Sequence, residues 1–277
     1  MKEHNTAGVR FFTYDLFEPH LNVTNAVTTR VRGRSGTPYE SLNLGLHVGD
    51  DPDAVLENRA LVAQVLGFEP EALTVAEQVH GSSVAVIRSG DRGRGAVIET
   101  DAIRGADAMI TNEPDLPLAI LVADCVAISL YDSRKNAIGI VHAGWKGTLA
   151  RIVEKALTAM TREYGTKPAD VIAGLSPAVG PCHYPVGGDV AGEFRASFGA
   201  DAAAIVRPES GGRVSLDLRE ANLLQLVGAG VSSGNIDATG TCTACCPEFF
   251  YSYRRDGVRT GRFAGIIRLH YTGRRVY

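Results

Sequence analysis

The sequence predicts an α+β layered fold in a single domain. Strand-like runs and helical stripes mix along the chain without the strict βαβ alternation of a doubly wound sheet. No internal repeat, low-complexity tract or long linker divides the 277 residues.

The elements follow in order. Val23 to Thr29 is a β-branched run and reads as a strand. Asp50-Asp51-Pro52-Asp53 supplies an N-cap and acids for a first turn, so a helix is expected from Ala54 to Leu66. Short apolar runs predict strands at 73–75, 83–87, 108–111, 118–122, 126–131 and 137–141, and the Gly/Arg-rich segments 32–38 and 89–95 read as surface loops. A second helix begins at about Thr148, because Leu149, Ile152, Val153, Ala156, Leu157 and Met160 form a stripe of 3.6-residue period, with Gly165 as its stop. A third helix covers Leu218 to Val227 and a final strand Phe249 to Tyr253. Residues 251–277 hold seven arginines (254, 255, 259, 262, 268, 274 and 275) against one acid, Asp256. A solvated edge hairpin is the expectation there, with anion binding by one or two of these arginines as the alternative.

Composition narrows the function. With 45% apolar and 21% charged residues, the chain is an ordinary soluble type that can bury a sizeable core. A net charge of −3 gives no global reason to bind nucleic acid or an anionic membrane. The N-terminus does not resemble a signal peptide. The most hydrophobic stretch, Leu116 to Tyr131, contains Pro117 and Asp124 and is too short to span a bilayer. Five cysteines, an odd number, argue for reduced thiols and a cytoplasmic location.

Candidate chemistry gathers at three places. His80 lies in Gln78-Val79-His80-Gly81, Cys125 in Ala123-Asp124-Cys125, and His142 in Val-His-Ala-Gly-Trp-Lys-Gly (141–147), each where a strand reading ends or is interrupted. Two imidazoles and one thiolate converging from separate strand ends would make a zinc site with one open position, the catalytic arrangement. Asp124 beside a thiolate is electrostatically unfavourable unless a cation compensates. Lys146 and Gly147, ahead of the helix at Thr148, suit an anion, and Arg254 and Arg255 offer a bidentate phosphate clamp.

Other motifs fail on spacing. Residues 139–148 nearly form a phosphate-binding loop, but Trp145 puts the glycine and Lys146 out of register. The His-x-Glu and Pro-Cys-x-x-Cys pattern of nucleobase deaminases is absent. Cys242-Thr-Ala-Cys245-Cys246 contains Cys-x-x-Cys, yet no second such pair completes a four-cysteine site, so these are expected to be packed or loosely reactive thiols.

Six ordered blocks, 41–50, 78–81, 123–125, 142–147, 180–182 and 249–257 with Thr260-Gly-Arg262, together resemble the laccase-domain family. Its members have been called multicopper polyphenol oxidases and are now largely described as purine nucleoside phosphorylases. The resemblance runs from about residue 20 to 268 within one domain of 277 residues. It implies α/β/β/α layers with mixed sheets and a zinc held by His80, Cys125 and His142. Implied activities are phosphorolysis of adenosine, inosine, guanosine and methylthioadenosine, with adenosine deamination; the partners are then a purine nucleoside and phosphate. Lys146 stands where the family commonly has Arg.

Within that implication Asp124 is a candidate proton carrier, and Asn43 and Gln78 are candidates for contacts to ribose or base. A multicopper oxidase, and copper as the metal, are disfavoured because seven histidines include no His-x-His pair. A Cys–His hydrolase with Cys125 as nucleophile, fitting the peptidoglycan precursor editing proposed for some relatives, uses the same residues. A non-enzymatic binding module is the third class.

Overall fold

The computed structural model describes residues 1–208 and 212–271. Within them the chain forms two six-stranded sheets and a small three-stranded one. The first sheet runs Lys2–Thr6, Val9–Thr13, Val23–Thr28, Phe263–Leu269, Leu118–Val122, Thr74–Val75 in spatial order. The second runs Ile236–Ala238, Val171–Leu175, Val126–Asp132, Ala137–Ala143, Ala108–Thr111, Val84–Val86. Both are mixed: Thr74–Val75 pairs parallel to Leu118–Val122, and Val84–Val86 parallel to Ala108–Thr111, among antiparallel neighbours.

Side-chain alternation explains the layers, because successive strand residues face opposite sides of a sheet. Leu118, Ile120 and Val122 face the space between the two sheets, where they meet Ala127, Tyr131, Ile138 and Ile140 from the second. Ala119 and Leu121 point the other way and pack, with Ala264 and Ile266, against Val62, Val65 and Leu66 of the helix Pro52–Leu66. On the far side of the second sheet Val126, Ile128, Leu130 and Val141 meet Ile152, Val153, Ala156 and Met160 of the helix Ile152–Tyr164. The order is therefore helix, sheet, sheet, helix, in a single domain. Strands with both faces covered read as continuous apolar runs, which is why 118–122 and 126–132 are legible in the sequence.

The helix Pro52–Leu66 begins two residues ahead of the expected Ala54 and ends where expected, with the N-cap Asp51 side chain accepting from the Asp53 N–H at 3.1 Å. The second helix departs from expectation. It is two pieces, Trp145–Leu149 and Ile152–Tyr164, separated by Arg151 in a left-handed conformation at φ 60°. Gly165, at φ 70°, ends it as expected.

Two readings of the C-terminal third are corrected. Phe249 to Tyr253 is not a strand: the N–H groups of Phe249 and Phe250 both donate to the Cys246 carbonyl in a turn, and Ser252 caps the short helix Tyr253–Asp256. The segment after Tyr251 is likewise not a solvated hairpin. Its Phe263–Leu269 strand is buried and lies between Val23–Thr28 and Leu118–Val122 inside the first sheet. Arg268, on that strand, is held by the Gly67 carbonyl at 2.7 Å and the His270 ring at 2.9 Å, so its charge is not a surface charge. Arg274 and Arg275 lie outside the described residues. Among the described residues no helix is long and apolar enough to cross a membrane.

Candidate active site

The site forms where the chain passes from one sheet to the other. Leu118–Val122 belongs to the first sheet and Val126–Asp132 to the second, so Ala123-Asp124-Cys125 is the crossing between them. His142 lies inside the strand Ala137–Ala143, opposite Ala127, one residue beyond where the sequence reading ended that strand. His80 sits in the loop before Val84–Val86. These three elements bring one donor atom each from His80, Cys125 and His142 within 4.8 Å of one another. The two imidazole rings meet edge to face, with centroids 4.8 Å apart.

Backbone strain accompanies the convergence. His80 has φ 58° and Asp124 φ 89°, a region that non-glycine residues adopt only when surrounding contacts hold them there. Gly144 is needed for a different reason: a Cβ on it would lie 3.1 Å from the Cys125 sulfur and 3.3 Å from the His80 ring. Any side chain at 144 would push into the donor cluster.

The residue that organises the cluster is Asp107, which the sequence reading missed. Its carboxylate is fully buried. One oxygen accepts from the His80 N–H at 2.9 Å and from His142 Nδ1 at 2.8 Å, and the other accepts from the Gly81 N–H at 2.7 Å. A carboxylate on Nδ1 fixes the His142 tautomer and turns Nε2 toward the other donors, the usual support of a metal-binding imidazole. The signal available in the sequence was an acid directly preceding a wholly apolar strand, Ala108–Thr111.

Charge within the cluster is unusual. Burial alone would raise the Cys125 thiol, but the positive charge of His142 and hydrogen bonds from His142 and His80 outweigh it and bring Cys125 down to about 6. For His142 burial works downward, yet the Cys125 thiolate and Asp107 raise it to about 9. Without metal, the pair is a thiolate and an imidazolium between those limits.

The cluster opens into a cavity of about 950 Å³. Of the residues expected to touch substrate, Gln78 and Arg254 line this cavity. Gln78 bonds both the N–H and the carbonyl of Leu121, each at 2.8 Å, so its amide is committed to the wall. Asp124 also lines the cavity, and its carboxylate accepts from the Thr243 hydroxyl at 2.5 Å and from the Arg254 backbone N–H at 2.6 Å. It anchors the turn that carries Arg254.

Three candidates are not brought to the cavity. Asn43 is fully buried, and its amide bonds Asp50, Gly45 and the Arg262 N–H. Arg255 is paired with Asp256 and with the carbonyls of Thr243 and Phe250. Lys146 is exposed on the short helix, which starts at Trp145 and not at Thr148. Two other side chains are brought there instead. Arg262 lines the cavity, as does Tyr184, whose ring carries the Arg254 guanidinium at 4.5 Å. Arg262 was visible in the Thr260-Gly-Arg262 block; nothing in the sequence singles out Tyr184.

A cluster of one thiol and two imidazoles at the crossing between two sheets, lining a cavity, is a candidate metal site. A family model described as multi-copper polyphenol oxidoreductase laccase matches residues 24–270, and the chain belongs to that family. It is 38% identical to a protein named purine nucleoside phosphorylase YlmD from Geobacillus stearothermophilus, over 90% of this chain and 91% of that one. It is 34% identical to one named adenosine deaminase RL5, from an unknown prokaryotic organism, over 87% and 92%. The crystal structure of YlmD from Geobacillus stearothermophilus superposes with a TM-score of 0.91, covering 97% of this chain and 98% of that one at 35% identity.

Two measurements check this geometry. Asp107→Asn keeps the shape but removes the charge behind His142, and zinc affinity measured by chelator competition is expected to fall roughly 10–100-fold; unchanged affinity would contradict the role given to Asp107. In metal-stripped protein, iodoacetamide labelling of Cys125, read by peptide mass spectrometry, is expected to stay fast down to about pH 6. An ordinary thiol slows below roughly pH 8.5, and that profile at Cys125 would refute the thiolate.

Proposed function

We propose that the chain is a zinc-dependent purine nucleoside phosphorylase, acting on adenosine, inosine, guanosine and methylthioadenosine, that also deaminates adenosine. The observation that carries this reading is the opening of the His80, Cys125 and His142 cluster into a cavity whose wall also presents Arg254 and Arg262. Three nitrogen and sulfur donors with a fourth side free suit zinc in a catalytic site, and the Asp107–His142 bond gives the expected outer support. When bound, zinc supplies a Lewis acid at the cavity floor and lowers the pKa of a water.

The chain's own residues supply the rest. The aromatic and apolar wall, including Trp145, Val179 and Leu218, suits a purine, and the volume lies within the range of small-molecule sites, roughly 300–1,000 Å³. Arg254 rests on the Tyr184 ring at the cavity wall, where a guanidinium suits a bidentate phosphate contact. Arg262 adds a second positive charge, held in place by the carbonyls of Thr260 and Gly261. In phosphorolysis a phosphate oxygen attacks ribose C1′, the glycosidic C–N bond breaks, and its electron pair leaves with the purine, which takes up a proton. The products are free base and ribose 1-phosphate. In deamination the nucleophile is water, and ammonia leaves from C6. Free thiols fit a cytoplasmic setting for these substrates.

One specific observation favours a second reading. Cys125, His142 and Asp107 form a thiolate, imidazolium and carboxylate in sequence, the layout of a Cys–His hydrolase, which would suit editing of peptidoglycan precursors. A polyphenol oxidase fits less well: among the described residues, the clusters of three or more donors hold at most two histidines each.

Chromatography of inosine and adenosine reactions tests the proposal. Free base and ribose 1-phosphate are expected only with phosphate present, and inosine from adenosine without it. Base release at equal rate without phosphate would make the enzyme a hydrolase. Cleavage of a muramyl-amino-acid precursor, with no nucleoside turnover, would favour the second reading, and neither turnover nor bound metal would leave a binding module. Arg254→Ala keeps the backbone N–H that Asp124 holds, and losing a charge-assisted contact of roughly 1.5–3 kcal/mol is expected to weaken phosphate use about ten- to a hundred-fold. Deamination should be spared; an unchanged ratio of the two activities would remove Arg254 from the phosphate site.

A further inference from the structure

We propose that Cys182, His183, Cys242 and Cys245 form a second zinc site, structural in kind, that ties two loops together behind the catalytic cluster. The four donor atoms, one from each residue, all lie within 4.8 Å of one another. Cys182 and Cys245 are exposed and Cys242 is buried, so of the thiols expected to be packed or loosely reactive Cys245 is not a packed one. The missing half of the site is not a second Cys-x-x-Cys but the dipeptide Cys182-His183, which the short turn Pro181–His183 presents to the Cys242–Cys245 turn. Cys246, packed against the core between the sheets, takes no part.

The distances match a tetrahedral metal. Zinc–sulfur and zinc–nitrogen bonds of about 2.3 and 2.05 Å place tetrahedral ligands about 3.8 Å apart for two sulfurs and about 3.5 Å for sulfur and nitrogen. The Cys182 and Cys245 sulfurs are 3.6 Å apart. His183 Nδ1 lies 3.3 Å from Cys182, 3.4 Å from Cys245 and 3.9 Å from Cys242. The Gly180 N–H donates to the Cys242 sulfur at 3.2 Å, a contact that favours the thiolate a metal requires. Three thiolates and one imidazole select a soft or borderline ion, and four protein ligands leave no open position, which is the structural pattern. Binding would release the thiol protons and change no oxidation state.

The position gives the site a consequence. Val179, three residues before Cys182, donates its N–H to the Asp124 carbonyl at 3.0 Å, and Thr243, next to Cys242, donates its hydroxyl to the Asp124 carboxylate. Tyr184, directly after His183, carries Arg254. Fixing the two loops therefore fixes two of the three partners of Asp124, Val179 and Thr243, and the platform under Arg254.

Metal analysis of the full chain, purified anaerobically with excess zinc and then desalted, tests the proposal independently of any nucleoside activity. About two zinc per chain are expected. Cys125→Ala should retain about one, and the double variant Cys182→Ser with Cys245→Ser should also retain about one. The Cys125→Ala variant leaves the second cluster intact, so loading it with cobalt should give thiolate-to-cobalt charge transfer and tetrahedral visible bands even if the double variant folds poorly. A Cys125→Ala protein that binds neither zinc nor cobalt would overturn the second site. So would intact-mass evidence that anaerobically purified wild-type protein carries a Cys182–Cys245 disulfide in place of metal.

Discussion

A single buried carboxylate, Asp107, holds the cluster of His80, Cys125 and His142 together. Asp107 accepts from two consecutive backbone N–H groups, those of His80 and Gly81, and from the His142 ring. These bonds reach across from the loop that carries His80 to the strand that carries His142, and the Asp107 carbonyl also accepts from the His142 N–H at 2.7 Å. Burial works against the ionised form, but the hydrogen bonds from His142, Gly81 and His80 and the positive charge of His142 hold the Asp107 carboxyl below its ordinary range. Remove that charge and a buried imidazole loses the partner that orients it, while two N–H groups lose a strong acceptor.

The layering of the fold explains why the third ligand arrives where it does. Two sheets packed face to face need a connection that leaves one and enters the other, and Ala123-Asp124-Cys125 makes that step in three residues. Asp124 takes up the turn with a left-handed backbone, held by its bonds to Thr243 and Arg254. Cys125 then emerges at the edge of the inter-sheet core, half-buried, beside the open side of the cavity. The fold thus delivers two kinds of residue to one place: donors from the sheet crossing, and cations from the C-terminal segment that follows the turn at 249–252.

Much of this was legible in the sequence because the strands carrying the site are buried on both faces and read as uninterrupted apolar runs. Ala108–Thr111 and Leu118–Val122 fall on their expected residues. His80, Cys125 and His142 stood out by chemistry and context. What was not legible is tertiary. Phe263–Leu269 follows Arg262 and contains Arg268, and nothing in the chain states that Arg262 lines the cavity while Arg268 is folded against Gly67 and His270. Asn43 looked like a ligand-binding amide, but its partners are the nearby Asp50 and Gly45 and, from a segment distant in sequence, the Arg262 N–H. The Cys182-His183 pair is separated by some sixty residues from the cysteines it meets, so spacing rules for local Cys-x-x-Cys pairs could not join them.

On the proposed reading three side chains, His80, Cys125 and His142, and no fourth would hold zinc beside the cavity. Anomalous diffraction from crystals of the zinc-loaded protein, recorded on both sides of the zinc edge, tests it most directly. The expected result is a zinc peak bounded by His80, Cys125 and His142 with no other protein donor against it. A peak at the copper edge instead, an additional protein ligand closing the open side, or no metal between these three residues would contradict it.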